Sequence, residues 1–308
     1  MKKLQHLISA TQFANREDLD ELFASARQME INDQQRTLKL SLNGRILATI
    51  FYEPSTRTRL SFEAAMQKLG GGILTAENAR DNSSAAKGES IEDAIRIVGG
   101  YADVIVMRHY QEGAAKAGAA ISPVPLVNAG DGAGEHPTQA LIDIYTMKKE
   151  LGTAEGRRVA LVGDLLYGRT IHSLLQLLSL YPGVSVDLIS PPNLRVPPKY
   201  IEFLKEHGVI FHESETLEDC VPHADVVYIT RVQRERFESL EEYEAIKDSY
   251  FVDAAMAERM KQTAIIMHAL PRLNEIAPEV DANPRAAYFR QAKNGMYVRM
   301  ALLDHLLS

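Results

Sequence analysis

Short runs of Val, Ile, Leu and Ala alternate along the chain with stretches whose apolar residues recur every three or four positions. The runs at 46–52, 103–107, 159–163, 184–189, 224–230 and 264–268 are almost continuously apolar. That is the pattern of strands covered on both faces. Between them, 60–69, 90–98, 137–149, 168–180 and 198–207 carry helical periodicity, and 283–308 predicts a long terminal helix. Phe62, Ala65, Met66 and Leu69 form one apolar helical face, and Gly70-Gly71-Gly72 ends it. Ser90 with Asp93 predicts a capping box at the next helix. Strand–helix alternation of this kind predicts an α/β fold built on largely parallel sheets.

The chain has 308 residues, and at about 150 residues per domain this predicts two domains. The helix opening at Pro137 marks the boundary, with Gly130-Asp131-Gly132-Ala133-Gly134 expected as a flexible approach. The terminal helix could return to either domain, and no internal repeat stands out. Apolar residues make up 45% and charged residues 24%, an ordinary globular balance. The net charge of −7, with no basic stripe, argues against a nucleic-acid partner. Cys220 is the sole cysteine, so an internal disulfide and a thiolate metal cluster are both excluded. Without a signal-like leader or an 18-residue apolar run, a soluble, cytoplasmic protein away from membranes is expected.

The chemistry concentrates where strands end. Ser55-Thr56-Arg57-Thr58-Arg59 follows an apolar run and a proline turn and leads into a helix. Free N–H groups at a helix start, hydroxyls and planar guanidinium forks together suit a phosphate. Arg108 follows the 103–107 run, with His109 beside it expected at the surface. His136 precedes a helix whose first residue is proline, with Gln139 one turn inside; this places a carbonyl-binding or proton-transferring group. Asp81–Glu89, carrying Ser83, Ser84 and Lys87, reads by itself as a polar loop. Val162-Gly163-Asp164 superficially suggests nucleotide chemistry and an oxidoreductase, but it lacks the glycine fingerprint and the Walker lysine. Arg169 at the next helix mouth suits a carboxylate, and Arg231 and Gln233 after the 224–230 run fall on one side of an extended chain. His268-Ala269-Leu270-Pro271-Arg272 presents backbone carbonyls before a proline. No set of residues has metal-ligand spacing and no nucleophile elbow occurs, so neither a metal, a cofactor nor a covalent intermediate is expected.

Read in order, these segments resemble the carbamoyltransferase family over nearly the full chain. Ser55–Arg59 followed by Ser61-Phe62-Glu63 carries most of the likeness, and His136-Pro137-Thr138-Gln139 supports it. Within the family, members acting on ornithine typically read His-Cys-Leu-Pro near the C-terminus and Ser-Met-Gly where this chain has Arg231-Val232-Gln233. They also lack a lysine equivalent to Lys87, so the resemblance is to the members acting on aspartate. Two departures are modest: Ala86 stands where some relatives have a second lysine, and Ala269 replaces a common proline.

The resemblance implies two domains, each a mainly parallel sheet flanked by helices, joined by interdomain helices. Residues 1–137 with 293–308 would bind carbamoyl phosphate and 138–292 would bind aspartate. The reaction implied is carbamoyl transfer to the amine of L-aspartate, the committed step of de novo pyrimidine biosynthesis. Ser55, Thr56, Arg57 and Thr58 would hold the phosphate. Arg108, His136 and Thr58 would polarise the carbamoyl oxygen, and Gln139 would hold the amino group together with the backbone of Leu270 and Pro271. Arg169, Arg231 and Gln233 would take the aspartate carboxylates. Glu53 would bridge to Arg169 and Arg236. Ser83 or Ser84, and Lys87, would reach a neighbour's site, making a homotrimer the smallest complete unit. Regulatory chains or a dihydroorotase are further partners that some relatives have.

Overall fold

The structure is a computed structural model that describes residues 4–308 apart from Gln233, Glu235, Arg236 and Glu238. Two of the expected functional positions, Gln233 and Arg236, therefore lie outside the described residues. The chain divides into two compact units, Met1–Ile142 with Lys293–Ser308, and Asp143–Ala292.

The first unit runs through α1 (Arg16–Gln34), β1 (Ile46–Phe51), α2 (Thr56–Lys68), β2 (Gly72–Glu77), the short α3 (Ala79–Asn82), α4 (Ile91–Gly99), β3 (Val104–His109), α5 (Ala114–Ile121), β4 (Leu126–Asp131) and the start of α6 (Pro137–Leu151). Its strands are parallel in the order β2-β1-β3-β4. The second unit continues from α6 into β5 (Arg158–Val162), α7 (Arg169–Leu178), β6 (Ser185–Ile189), α8 (Pro198–Glu206), β7 (Ile210–Ser214), β8 (Val226–Ile229), α9 (Leu240–Ile246), α10 (Ala254–Arg259), β9 (Ile265–His268) and the start of α11 (Tyr288–Leu307). Its parallel order is β7-β6-β5-β8-β9.

Burial explains which strands the apolar pattern reveals. β3, β5, β8 and β9 are buried along nearly their whole length, and their sequences are nearly all apolar. The edge strands β2 and β7 are mostly exposed, carry polar residues, and escape that pattern. β4 is fully buried yet includes Asn128, Gly130 and Asp131, so its apolar run looks too short. Residues 130 and 131, expected as part of a flexible approach, instead close this buried strand.

The predicted apolar face of α2 is present: Phe62, Ala65, Met66 and Leu69 are buried, and Thr58 extends the stripe one turn earlier. The helix begins at Thr56, so most of the Ser-Thr-Arg-Thr-Arg segment forms its first turn. Ser90 caps α4 by accepting the Asp93 N–H at 3.1 Å, while the Asp93 carboxylate pairs with Arg96 at 3.4 Å.

The two sheets start their central strand pairs with the same device. In the first unit Asp103 accepts the Ile46 N–H at 2.8 Å and the Arg45 guanidinium at 2.8 Å. In the second, Asp225 accepts the Arg158 N–H at 2.9 Å and the Lys261 ammonium at 2.9 Å. Both aspartates return their own N–H to the partner strand's carbonyl, at 2.8 Å each. The registers correspond, Leu47 opposite Val104 and Val159 opposite Val226. Ala102-Asp103-Val104 thus has a counterpart in Ala224-Asp225-Val226, a local repetition too short to stand out in the sequence.

Candidate active site

In each unit the candidate residues follow the carboxyl ends of three adjacent parallel strands, the edge where open α/β sheets bind ligands. In the first unit β1 leads to Ser55–Thr58, β3 carries Arg108, and β4 leads to His136 and Gln139. In the second, β5 leads to Arg169, β8 to Arg231, and β9 to Leu270 and Pro271.

The start of α2 differs electrostatically from its neighbours. α1 is capped by Asn15 and has Glu17 and Asp18 in its first turn; α4 is capped by Ser90 and has Glu92 and Asp93. At α2 the Ser55 side chain makes no capping bond, and the first turn has no acidic residue. The positive end of this helix is thus met by neither a Ser55 side-chain cap nor an acid of its first turn, the arrangement that suits an anion. Arg57 is exposed there and Thr58 is buried. Arg59 points to other work: it donates to Glu63 at 3.3 Å, Thr75 at 3.2 Å and Glu77 at 2.8 Å, tying α2 to β2. Only the first arginine of the motif is thus presented to solvent.

Arg108 lies 3.4 Å from Glu53 and 3.5 Å from the Ala129 carbonyl, which aims it along the strand ends. His109, expected at the surface, is buried. It stacks on Tyr110 at 4.2 Å and meets Tyr52 edge-on at 4.7 Å, and its Nδ1 accepts the Gln111 N–H at 3.0 Å. Burial pushes its pKa down, against the pull of Glu53 and Asp131.

His136 is buried, with its Nδ1 3.4 Å from the Thr138 hydroxyl. The turn that delivers it rests on two carboxylates that sequence reasoning passed over. Asp131 accepts from the Gly113 N–H at 2.9 Å, the Glu135 N–H at 3.2 Å and the Asn128 amide at 3.0 Å. Glu135 accepts from the Ala10 N–H at 2.8 Å and the Ser9 hydroxyl at 2.7 Å. Their one visible signal is an acidic residue among glycines directly after an apolar run. Gly132 is needed in that turn: its φ is +51°, and a Cβ there would lie 2.6 Å from the Glu112 nitrogen.

Ser83 and Lys87 sit on the connection between α3 and α4. The Ser83 hydroxyl donates to the Ala79 carbonyl and accepts the Ala85 N–H at 3.1 Å, while Ser84 and Lys87 are exposed. Arg80, within α3, lies 5.0 Å over the Tyr110 ring, linking that short helix to the residue after β3.

In the second unit Arg169 is the first residue of α7 and is buried; Gly168 before it offers no cap, and the first turn holds no acid. The turn before it is structural. Asp164 is buried and accepts the Tyr167 N–H at 2.9 Å, and Gly163 packs so closely on Thr230 that a Cβ would fall 2.3 Å from its carbonyl oxygen. Packing therefore accounts for the residues that suggested a nucleotide turn. Arg231 is half-buried after β8. Leu270 is half-buried with φ +57°, and a cis peptide joins it to Pro271.

Against known families, residues 5–149 match the carbamoyl-phosphate binding domain of the aspartate/ornithine carbamoyltransferases, and residues 155–306 match their aspartate/ornithine binding domain. The chain belongs to the aspartate/ornithine carbamoyltransferase family. Among family members, the chloroplastic aspartate carbamoyltransferase of Arabidopsis thaliana is 53% identical over 99% of this chain and 78% of its own length. The catalytic subunit of Methanocaldococcus jannaschii aspartate transcarbamoylase superposes with a TM-score of 0.90 at 48% identity, covering 99% of this chain and 98% of the other. Trypanosoma cruzi aspartate transcarbamoylase, solved in complex with carbamoyl phosphate and aspartate, gives a TM-score of 0.94 at 41% identity, covering 99% and 98%.

Proposed function

We propose that this carbamoyltransferase moves the carbamoyl group of carbamoyl phosphate to the amine of L-aspartate, giving N-carbamoyl-L-aspartate and phosphate, with the residues of its two sheet edges in the following roles. The observation that carries the reading is the uncapped, acid-free start of α2, with Arg57 exposed at it and Arg108 and His136 following the adjacent strand ends. Ser55, Thr56, Arg57 and Thr58 hold the phosphate. Arg108, His136 and Thr58 take the carbamoyl oxygen, Gln139 the amino group, and the Leu270 and Pro271 backbone orients that group. Arg169 and Arg231 bind the aspartate carboxylates, with Gln233 completing the set.

The neutral amine of aspartate attacks the carbamoyl carbon and forms a C–N bond. The carbonyl oxygen becomes an oxyanion; as it re-forms the carbonyl the C–O bond to phosphate breaks, and the departing phosphate takes up the proton that the amine gives up. Each fixed donor at such an oxyanion contributes about 2.7–4 kcal/mol. The Thr138 hydroxyl lies 3.4 Å from Nδ1 of His136; an imidazole that carries its proton on Nε2 can donate it to a carbonyl oxygen. Arg57 and the positive end of α2 neutralise the departing phosphate. The product is the one the de novo pyrimidine route requires.

The same reading includes a homotrimer in which Ser83 and Lys87 serve a neighbouring site, in a cytoplasmic setting. Exposed Lys87 supports it, as do the exposed apolar side chains of Leu40, Leu60 and Leu74 on the first unit. Incubating pure protein with carbamoyl phosphate and either L-aspartate or ornithine tests the reaction. Carbamoyl aspartate and phosphate in equal amounts are expected; turnover with ornithine alone would overturn the assignment. For the shared site, an inactive Lys87→Ala trimer mixed with an inactive His136→Ala trimer should regain partial activity once subunits exchange.

A further inference from the structure

His268 closes β9 inside the second unit and is buried. Its Nδ1 accepts the N–H of Leu270 at 2.7 Å, and its Nε2 lies 2.8 Å from Glu275 Oε1. A ring nitrogen that accepts a hydrogen bond carries no proton, so the proton is on Nε2 and is donated to Glu275. The other Glu275 oxygen accepts the Leu273 N–H at 2.9 Å. One imidazole–carboxylate pair thus grips the segment Leu270-Pro271-Arg272-Leu273 at both ends.

The pair is itself held from behind. The His268 backbone N–H donates to Gln291 Oε1 at 2.9 Å, and the Gln291 amide donates to Asp143 at 2.7 Å, all buried. Arg272, in the middle of the segment, is forked onto Asp281 and donates to the Tyr288 hydroxyl at 3.0 Å. Leu270 needs such support because its φ of +57° is one that a side-chain-bearing residue disfavours.

We propose that His268 is a positioning residue for carbamoyl transfer: its neutral ring holds the Leu270 N–H, and so fixes the Leu270–Pro271 backbone that orients the carbamoyl amino group. This rests on the assignment of that backbone to carbamoyl phosphate made above. The ring does not touch substrate; it acts through Leu270. An imidazole suits the task because one edge accepts from Leu270 while the other donates to Glu275, and neither leucine nor phenylalanine can do either.

The two edges can be separated by substitution in the full-length protein. His268→Asn keeps an acceptor near the Nδ1 position, His268→Gln keeps a donor near Nε2, and His268→Ala keeps neither. Steady-state kinetics with both substrates, alongside melting temperatures, give the readout. The expected result is that Gln and Ala variants lose about 10²-fold in kcat/KM for carbamoyl phosphate, the scale of a misplaced substrate contact. The Asn variant should recover most of that loss, although it melts no higher than the Gln variant. Equal activities for Asn and Gln, or losses that follow melting temperature alone, would overturn the role. Should the Gln and Ala variants not fold, Glu275→Leu carries the test, because it nearly keeps the volume while removing the acceptor that orients the ring through Nε2–H. A lowered kcat with an unchanged KM for aspartate then supports the role, and an unchanged kcat overturns it. A wild-type protein inactive with aspartate would instead defeat the reaction assignment, and this role with it.

Discussion

Asp225 accepts the backbone N–H of Arg158 at 2.9 Å, and that bond sets the first rung between β5 and β8. Asp225 also holds Lys261 at 2.9 Å. Asp225→Ala leaves a strand-end N–H without its acceptor, a loss of about 1–3 kcal/mol when the group is buried. Asp103→Ala removes the matching bond to Ile46 but should cost less, because the Asp103 side chain is 29% exposed against 12% for Asp225. Urea unfolding with separate probes in the two units should show each variant lowering the midpoint of its own unit. Equal or absent shifts would count against the shared device.

The two arginines of Ser55-Thr56-Arg57-Thr58-Arg59 should separate by assay. Arg57→Ala is expected to lose about 10²–10³-fold in turnover, the effect of removing one transition-state donor, with an unchanged melting temperature. Arg59→Ala breaks the ties to Glu63, Thr75 and Glu77 and should lower stability first. A thermally intact Arg59→Ala enzyme with Arg57-like loss of activity would show that both arginines serve phosphate.

The apolar patterning made the interior strands legible because β3, β5, β8 and β9 are covered on both faces and built from apolar residues. β2 and β7 were not legible, since an edge strand half-open to solvent needs no continuous apolar run. At the site, strand-end arginines could be read from their place after apolar runs. Asp131 and Glu135 could not, because an acidic residue among glycines looks solvated until its backbone donors are known. His109 misled for a related reason: a histidine after an arginine looks exposed, yet it is enclosed by Tyr52 and Tyr110.

His109 gives stability a pH dependence of known sign. Burial depresses its pKa in the folded protein, so the unfolded chain, with its ordinary value of 6.5, binds the proton first as pH falls. The contribution is complete above pH 6.5 and declines as pH drops from there toward the folded pKa. Melting temperature measured from pH 8 to pH 5 should fall through this window, and His109→Gln should make the fall shallower. An identical slope in both proteins would remove His109 from the account.

Gly163→Ala should damage the second unit where the fold tolerates no side chain. Its φ is +111°, and the new Cβ would stand 2.3 Å from the Thr230 carbonyl oxygen. Backbone strain of this kind costs about 1–3 kcal/mol before the steric contact is added. The variant is expected to melt lower and, because the turn precedes Arg169, to show a raised KM for aspartate. A variant with wild-type melting and kinetics would contradict the packing described.

The reach of Arg59 from α2 to β2 has a consequence for dynamics. The helix turn assigned to phosphate and the outermost strand of the first sheet share one side chain, so opening either loosens the other. Edge strands are normally the first parts of a sheet to exchange their amide hydrogens with water. Here the substrate, by occupying the first turn of α2, would hold that edge closed from the far end of an arginine, and the protection of β2 amides would rise with carbamoyl phosphate although no atom of β2 is assigned to bind it.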